Sequence, residues 1–331
     1  MPQHALKPIT ILGSGAWGTA LALYLARRGQ QVRLWSVVNA EITAMLANRT
    51  NNQFLPGYPF PETIHPTANL AEAIEGVDDI LMVIPSVGFR PTLTMLKPLI
   101  KPSMRIICAS KGMDEESGLL FNTAVENIIG KQQAYAVLSG PSFAKEVAAG
   151  LPTSVVIASH DNQFVKDLSA RFNSDIFHIH PSHDVIGVEL GGVVKNVIAI
   201  ATGISDGLNF GSNARCAIIT LGLNEIIRLG TALGGKPETF VGLSGVGDLI
   251  LTASDDQSRN RRLGLAFGKG NNIAQAEKEI GQVVEGKRNA ELVVALAKKY
   301  HVAMPVCTTV WEMLQGKIAA KEGIKMILAA E

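Results

Sequence analysis

The sequence predicts an α/β chain: a doubly wound, mostly parallel sheet followed by an all-α C-terminal domain. Three observations predict it. Short apolar runs alternate with helical patterns over the first half of the chain, and from about His183 the pattern becomes helical throughout. The chain is also 331 residues long, about twice the size of a common single domain. The expected division is a doubly wound sheet domain over 1–182 and an all-helical domain over 183–331.

The strands are expected at ITILG (9–13), QVRLWS (31–36), DILMVIPS (79–86), MRIICAS (104–110) and AYAVLSG (134–140), with TSVVIAS (153–159) and IFHIH (176–180) as two more. Continuous apolar runs separated by helices belong to a parallel sheet covered on both faces. The first helix is expected from Thr19 to Arg28, with Gly29 as the residue that ends it. After His183, VIGVELGGVVKNVIAIATGIS, ARCAIITLGLNEIIRLGTALG, RNAELVVALAKKYH and VCTTVWEMLQG read as helices joined by Gly-, Pro- and Asn-bearing loops. No internal repeat or low-complexity segment interrupts them.

Composition narrows the function. Hydrophobic residues make up 47% and charged residues 18%, which suits a folded enzyme and excludes a disordered chain. A net charge of +1 gives no electrostatic reason to bind nucleic acid or an anionic membrane. Cys108, Cys216 and Cys307 lie far apart with no CxxC pair, so a reducing compartment is expected and a structural zinc site is not. The N-terminal MPQHALKP lacks an apolar signal region, and no apolar run is expected to reach the length of a membrane span. A soluble cytoplasmic protein without a metal is the expectation.

Gly13, Gly15 and Gly18 form G-x-G-x-x-G between a predicted strand and a predicted helix. The first glycine permits the tight turn, the second lets the backbone approach a pyrophosphate, and the third lets helix pack on strand. Free N–H groups at the helix start then face the anion. This is the Rossmann-type dinucleotide loop. The acidic residue expected about 20 positions on, as ribose acceptor, is missing: Ser36, Val37, Val38 and Asn39 occupy that stretch, Arg33 lies within the strand, and Glu41 comes late. No 2′-phosphate clamp is evident either. Use of both NADH and NADPH is therefore expected, with NADPH modestly preferred.

Ligands in such sheets sit beyond the carboxyl ends of the strands, where IPS (84–86), SKG (110–112) and SGPS (139–142) gather small polar residues. Lys111 is the cation among them, either a solvated loop lysine or a ligand group. Ser142 is expected to cap the helix FAKEVAA, which Gly150 would end. In GGVVKNVIAIATG, helical spacing puts Gly192, Lys195, Asn196, Ala199 and Gly203 on one face. Two readings fit: a tight helix contact with Lys195 reaching to water, or a lysine in a small-walled pocket whose desolvation lowers its pKa and suits it to proton transfer. GVGDLILT places Asp248 in a glycine-flanked turn. In DDQSRNRR, Ser258 is a candidate N-cap followed by Arg259 and Asn260, a good phosphate site or a solvated basic face. His178, His180 and His183 have no supporting cluster and read as surface or packing residues.

These residues together resemble the bacterial NAD(P)-dependent glycerol-3-phosphate dehydrogenase family over nearly the whole chain. The resemblance rests on GSGAWGTALA, FLPG, ASKG, SGPSFAKE, GGVVKNVIAI, GVGDLILT, QSRNRR and GQVVEG, in family order. It implies reduction of dihydroxyacetone phosphate to sn-glycerol 3-phosphate for phospholipid synthesis, and a homodimer. It also implies that Lys195 is the proton donor and acceptor and that Lys111 lies near cofactor and substrate. Gly140, Ser142, Asp248, Ser258, Arg259 and Asn260 match substrate positions, with Arg259 and Asn260 on the phosphate. Trp17, Ala144, Arg259, Val283 and Glu285 match cofactor positions. The stretch SVVNAE departs from relatives that carry a basic residue or an HDP-like turn there.

Two other readings fit part of the pattern. A dehydrogenase of a 3-hydroxy acid would share the architecture without needing a phosphate site at Arg259 and Asn260. A non-catalytic dinucleotide sensor would keep the glycine loop without needing Lys111 or Lys195.

Overall fold

The structure is a computed structural model that describes residues 7–330; residues 1–6 of MPQHALKP lie outside the described residues. The chain divides into two compact units. The first comprises residues up to Ser110 together with Asn122–Leu138 and Ser142–His183; the second comprises Lys111–Phe121, Ser139–Pro141 and Asp184 onward. Two short segments that the sequence reading places in the first domain thus group with the second unit.

In the first unit the main sheet has eight strands: β1 Ile9–Leu12, β2 Val32–Trp35, β3 Ile64–Thr67, β4 Asp79–Met82, β5 Arg105–Cys108, β6 Tyr135–Ser139, β7 Thr153–Ala158 and β8 Phe177–Ser182. Their order across the sheet is 8-7-6-5-4-1-2-3. Strands β2, β1, β4, β5 and β6 pair in parallel, as do β2 with β3 and β7 with β8. Starting at β1 and moving outward in both directions, this is the 3-2-1-4-5-6 arrangement of dinucleotide-binding sheets, whose switch point lies between β1 and β4. Every residue of β1 and β4 is buried, as expected of central strands covered on both faces. The fold class read from the sequence is the one observed.

Strand β3 escaped the sequence reading. Its sequence IHPT carries Pro66, which has no N–H to donate and is accommodated at the edge of the sheet. Two short hairpins, Thr50–Asn51 with Leu55–Pro59 and Met113–Asp114 with Leu119–Leu120, were likewise unread. The glycine-loop helix begins earlier than expected, spanning Ala16–Arg27, and Gly29 (φ +78°) follows its C-cap Arg28 as expected. Ser142 is not a helix cap: the helix is Ala144–Ala149 and its N-cap is Phe143, because the chain turns helical one residue later than the sequence suggested. Gly150 does end it in the left-handed region.

The second unit is built around the helix Val185–Gly207, against which Gly211–Ala232, Asp248–Ser254, Arg259–Gly268 and Glu285–Lys299 pack. Small residues set the closeness of these contacts. A Cβ at Gly203 would strike the Arg261 carbonyl, and one at Gly264 would strike the Ile200 carbonyl, so the two helices meet backbone to backbone. The expectation that no segment is long and apolar enough to span a membrane is corrected here. Val185–Gly207 passes that test on length and composition, yet 94% of its apolar window is buried inside the protein. Its apolar surface forms the core of the unit with Ile218, Ile226, Leu263 and Val293, as a helix apolar on all sides does when packed in a protein interior.

Candidate active site

The glycine loop is built as its spacing requires. Gly13 follows β1 with φ +115°, and a Cβ there would strike the Val83 carbonyl just beyond β4. A Cβ at Gly18 would strike the Gly13 carbonyl, so only glycine lets the helix start this close to the strand end. Gly15 is the helix N-cap with no side-chain cap, and a Cβ built there has nothing within 4 Å. Its surroundings are open where a pyrophosphate would approach, and the uncapped helix start supplies N–H donors to an anion. The Trp17 indole N–H is buried and without a partner, a donor left over inside the loop. Thr19 Oγ1 and Asn51 Nδ2 both donate to the Ser14 carbonyl, at 3.1 and 2.6 Å, and fix the loop. These features fit a bound dinucleotide. Ala144 opens the helix that packs on Ala16–Arg27.

The lysines meet in the second unit. Asp248 is the first residue of the helix Asp248–Ser254 and follows the π-helical turn Leu243–Gly247. That turn lies tight against the Val185–Gly207 helix, where a Cβ at Gly191 would strike the Ser244 carbonyl. Asp248 is 1% exposed and holds both lysines. Lys195 Nζ donates to Oδ1 and Lys111 Nζ to Oδ2, each at 2.6 Å. Lys195 Nζ also donates to Thr252 Oγ1 at 2.7 Å, and Lys111 Nζ to the Gly140 carbonyl at 3.2 Å. Gly140 has φ +143°, a conformation that favours glycine. A Cβ at Gly192 would sit 3.1 Å from Ser139 Oγ and in ordinary van der Waals contact, at 3.5 Å, with Lys111 Cγ.

Lys195 is 4% exposed and does not reach to water, while the tight helix contact expected along its face is present at Gly203. Burial lowers its pKa from 10.5 to about 7, opposed by Asp248 and assisted by Lys111. Burial pushes the Asp248 carboxyl up, but the two ammonium groups outweigh it and hold the carboxyl below its usual value. Lys111 is the more accessible partner, with a side chain 20% exposed. Two ammonium groups thus share one carboxylate, and only one of the two is fully enclosed. Thr252 was missed from the sequence, although its place one helical turn after Asp248 in GVGDLILT was a usable signal.

Arg259, Asn260 and Ser258 gather at the start of the helix Arg259–Gly268. Ser258 is its N-cap and accepts from the Arg261 N–H. Asn260 Nδ2 donates to Asn196 Oδ1 at 2.9 Å, and Asn260 Oδ1 accepts from the Gly286 N–H at 2.8 Å. Asn196 Nδ2 in turn donates to the Gly192 carbonyl. This chain of amides ties the first turn of the Arg259 helix to the lysine helix and to the helix Glu285–Lys299. Gly286 makes the approach possible, since a Cβ would lie 2.6 Å from the Asn196 carbonyl oxygen. Arg259 is half-buried. Burial lowers its pKa, with the Glu285 carboxylate acting in the opposite sense. Val283 is exposed just before the helix Glu285–Lys299, and Glu285, its first residue, is half-buried. No group of three metal-ligating side chains occurs among the described residues.

Residues 8–165 match the N-terminal domain, and residues 184–325 the C-terminal domain, of the family described as NAD-dependent glycerol-3-phosphate dehydrogenase. A Coxiella burnetii protein named glycerol-3-phosphate dehydrogenase, with NAD(P)+ as its cofactor, is 49% identical over 97% of this chain and 96% of its own length. A protein of the same name from Tolumonas auensis is 46% identical over 96% of each. The crystal structure of glycerol-3-phosphate dehydrogenase from Coxiella burnetii matches with a TM-score of 0.96 at 48% identity, covering 98% of this chain and 99% of that one.

Proposed function

The chain belongs to the NAD-dependent glycerol-3-phosphate dehydrogenase family, and from that premise we propose that the Lys195–Asp248–Lys111 cluster is the proton-transfer centre of its reaction. The protein is an NAD(P)-dependent oxidoreductase acting on the CH–OH group of glycerol 3-phosphate. In the reductive direction the substrate is dihydroxyacetone phosphate. The observation that carries the reading is a buried lysine with its pKa lowered to about 7, held by a carboxylate shared with a second lysine.

A nicotinamide dinucleotide held at the Gly13–Gly15–Gly18 loop would supply a hydride to the C2 carbonyl carbon. As that bond forms, the C=O π pair moves onto oxygen, and the Lys195 ammonium stabilises the developing charge. Lys195 then gives its proton to the oxygen and is left as a neutral amine, completing CH–OH; the reverse reaction uses that amine as base. Asp248 and Thr252 hold Nζ in place for the transfer. Lys111 adds a positive charge on the same carboxylate, and that charge favours the neutral form of Lys195 once the proton has left.

Arg259 anchors the substrate phosphate in this reading. It is half-buried at the helix start, and the Arg259 and Asn260 N–H groups lie in a first helical turn where anions are favoured. Gly140, Ser142, Ser258 and Asn260 complete the substrate set, while Gly13, Gly15, Trp17, Gly18, Ala144, Val283 and Glu285 serve NADH or NADPH. The resemblance also supports a homodimer and a role in phospholipid synthesis. Three free cysteines are consistent with a cytoplasmic location.

The test compares kcat/KM for dihydroxyacetone phosphate and for dihydroxyacetone. A strong preference for the phosphate ester is expected, and Arg259→Ala should collapse it by removing a charge-assisted fork. An equal fall on both substrates would remove the phosphate assignment.

A further inference from the structure

We propose that Glu41 is the ribose acceptor of the dinucleotide site and that it makes this protein selective for NADH over NADPH, reversing the modest NADPH preference expected from the sequence. The inference rests on the dinucleotide reading of the glycine loop and adds a residue to it. Sequence spacing put Glu41 too far along the chain. The structure brings it back. The helix Asn39–Asn48 starts directly after the β2 turn, and Glu41 in its first turn folds toward the sheet. Its Oε2 accepts from Ser36 Oγ at 2.7 Å, immediately beyond β2, and from Ser14 Oγ at 2.9 Å, within the glycine loop. A carboxylate therefore lies between the glycine loop and the end of β2, where dinucleotide-binding sheets hold the ribose hydroxyls.

Three further observations support a ligand role. Both serine hydroxyls donate to Oε2, and no described donor reaches Oε1, so half of the carboxylate keeps its acceptor capacity. The mount is rigid, because Ser14 and Ser36 are buried and the Ser14 carbonyl is clamped by Thr19 and Asn51. Lastly, nearby cations are committed elsewhere. Arg33 donates to the carbonyls of Glu72, Ala73 and Glu75, and Arg49 to those of Ile64 and Pro61. Val37 and Val38, exposed at the tip of the turn, offer no charge. A 2′-phosphate would meet a carboxylate with no compensating guanidinium, a like-charge pairing that selects against the wrong ligand. A ribose 2′-hydroxyl would donate to Oε1.

Calorimetric titration with ADP-ribose and with its 2′-phosphate tests this without any hydride transfer. Wild type should bind ADP-ribose more tightly by about tenfold or more, the scale of a hydrogen bond to a charged group. Glu41→Gln keeps the shape of the side chain and removes its charge, and Glu41→Ala removes both. In each, ADP-ribose affinity should fall and affinity for the 2′-phosphate should rise; melting temperature should hold in Glu41→Gln, whose amide oxygen can still accept from both serines. A merely structural Glu41 would weaken both ligands alike and leave their ratio unmoved, which would overturn the proposal. So would a wild type that favours the 2′-phosphate. If neither ligand binds wild type, the glycine-loop reading fails first and takes this one with it.

Discussion

Asp248 is the residue on which the proposed chemistry turns. An enclosed lysine loses its proton easily, and burial sets the direction for Lys195; Asp248 is what keeps enough of it protonated to act as an acid. The reductive reaction uses the ammonium form, so its rate should fall as pH rises through about 7, while glycerol 3-phosphate oxidation should rise through the same range. The apparent value belongs to the coupled set of Lys195, Asp248 and Lys111 rather than to one group. Asp248→Asn removes the charge that raises the lysine and leaves Lys111 repelling it. The falling limb of the reductive profile should then move to lower pH by roughly 1–3 units. A stopped-assay series across pH reads this directly, and a limb that stays in place would show that Asp248 does not set the acidity of Lys195. At this scale the sequence was informative where a motif named a residue and silent where a side chain had to fold back. Lys195, Lys111 and Asp248 were each legible, but their shared contact was not, because they are separated by 84 and 53 residues. Counting from Lys111, Asp248 is in fact 137 residues away. Glu41 lies outside the expected spacing in sequence and is brought back only by the fold.

The glycine loop makes a prediction at the scale of an element, because its glycines do different work. Gly15→Val adds a branched side chain where a Cβ meets no protein atom within 4 Å. The melting temperature should survive, and NADH and NADPH affinity should fall because the pyrophosphate can no longer approach. Gly18→Ala is the reverse case. Its Cβ would collide with the Gly13 carbonyl, and backbone cannot yield cheaply, so a loss of about 1–3 kcal/mol of stability is expected. Thermal melts and calorimetric titration of the two variants separate the roles. Unchanged affinity in a folded Gly15→Val protein would contradict the cofactor assignment. Strands and long helices were legible as elements because continuous apolar runs and helical periodicity survive in the bare sequence. The edge strand Ile64–Thr67 was not, since its proline argues against a strand until the sheet edge is known. Nor was the helix start after Ser142, where cap chemistry and actual cap differ by one residue.

At the scale of the whole molecule, the change from alternating to helical pattern near residue 183 was visible, and the structure divides at Asp184 for the longest part of the second unit. Harder to read were the short returns of the chain at Lys111–Phe121 and Ser139–Pro141. These carry Lys111 and Gly140 into the same unit as Lys195 and Asp248. No local pattern announces such a return, since it depends on contacts distant in sequence. The consequence is functional: every member of the proposed proton-transfer cluster lies in one unit. The central claim is that Lys195 supplies the proton, and the most direct measurement is turnover of dihydroxyacetone phosphate by Lys195→Ala across pH, alongside calorimetric binding of the dinucleotide. Turnover should fall on the order of 10²–10⁴, dinucleotide affinity should be retained, and the limb near pH 7 should vanish. A variant that turns over like wild type, or that keeps the limb in place, would contradict the account.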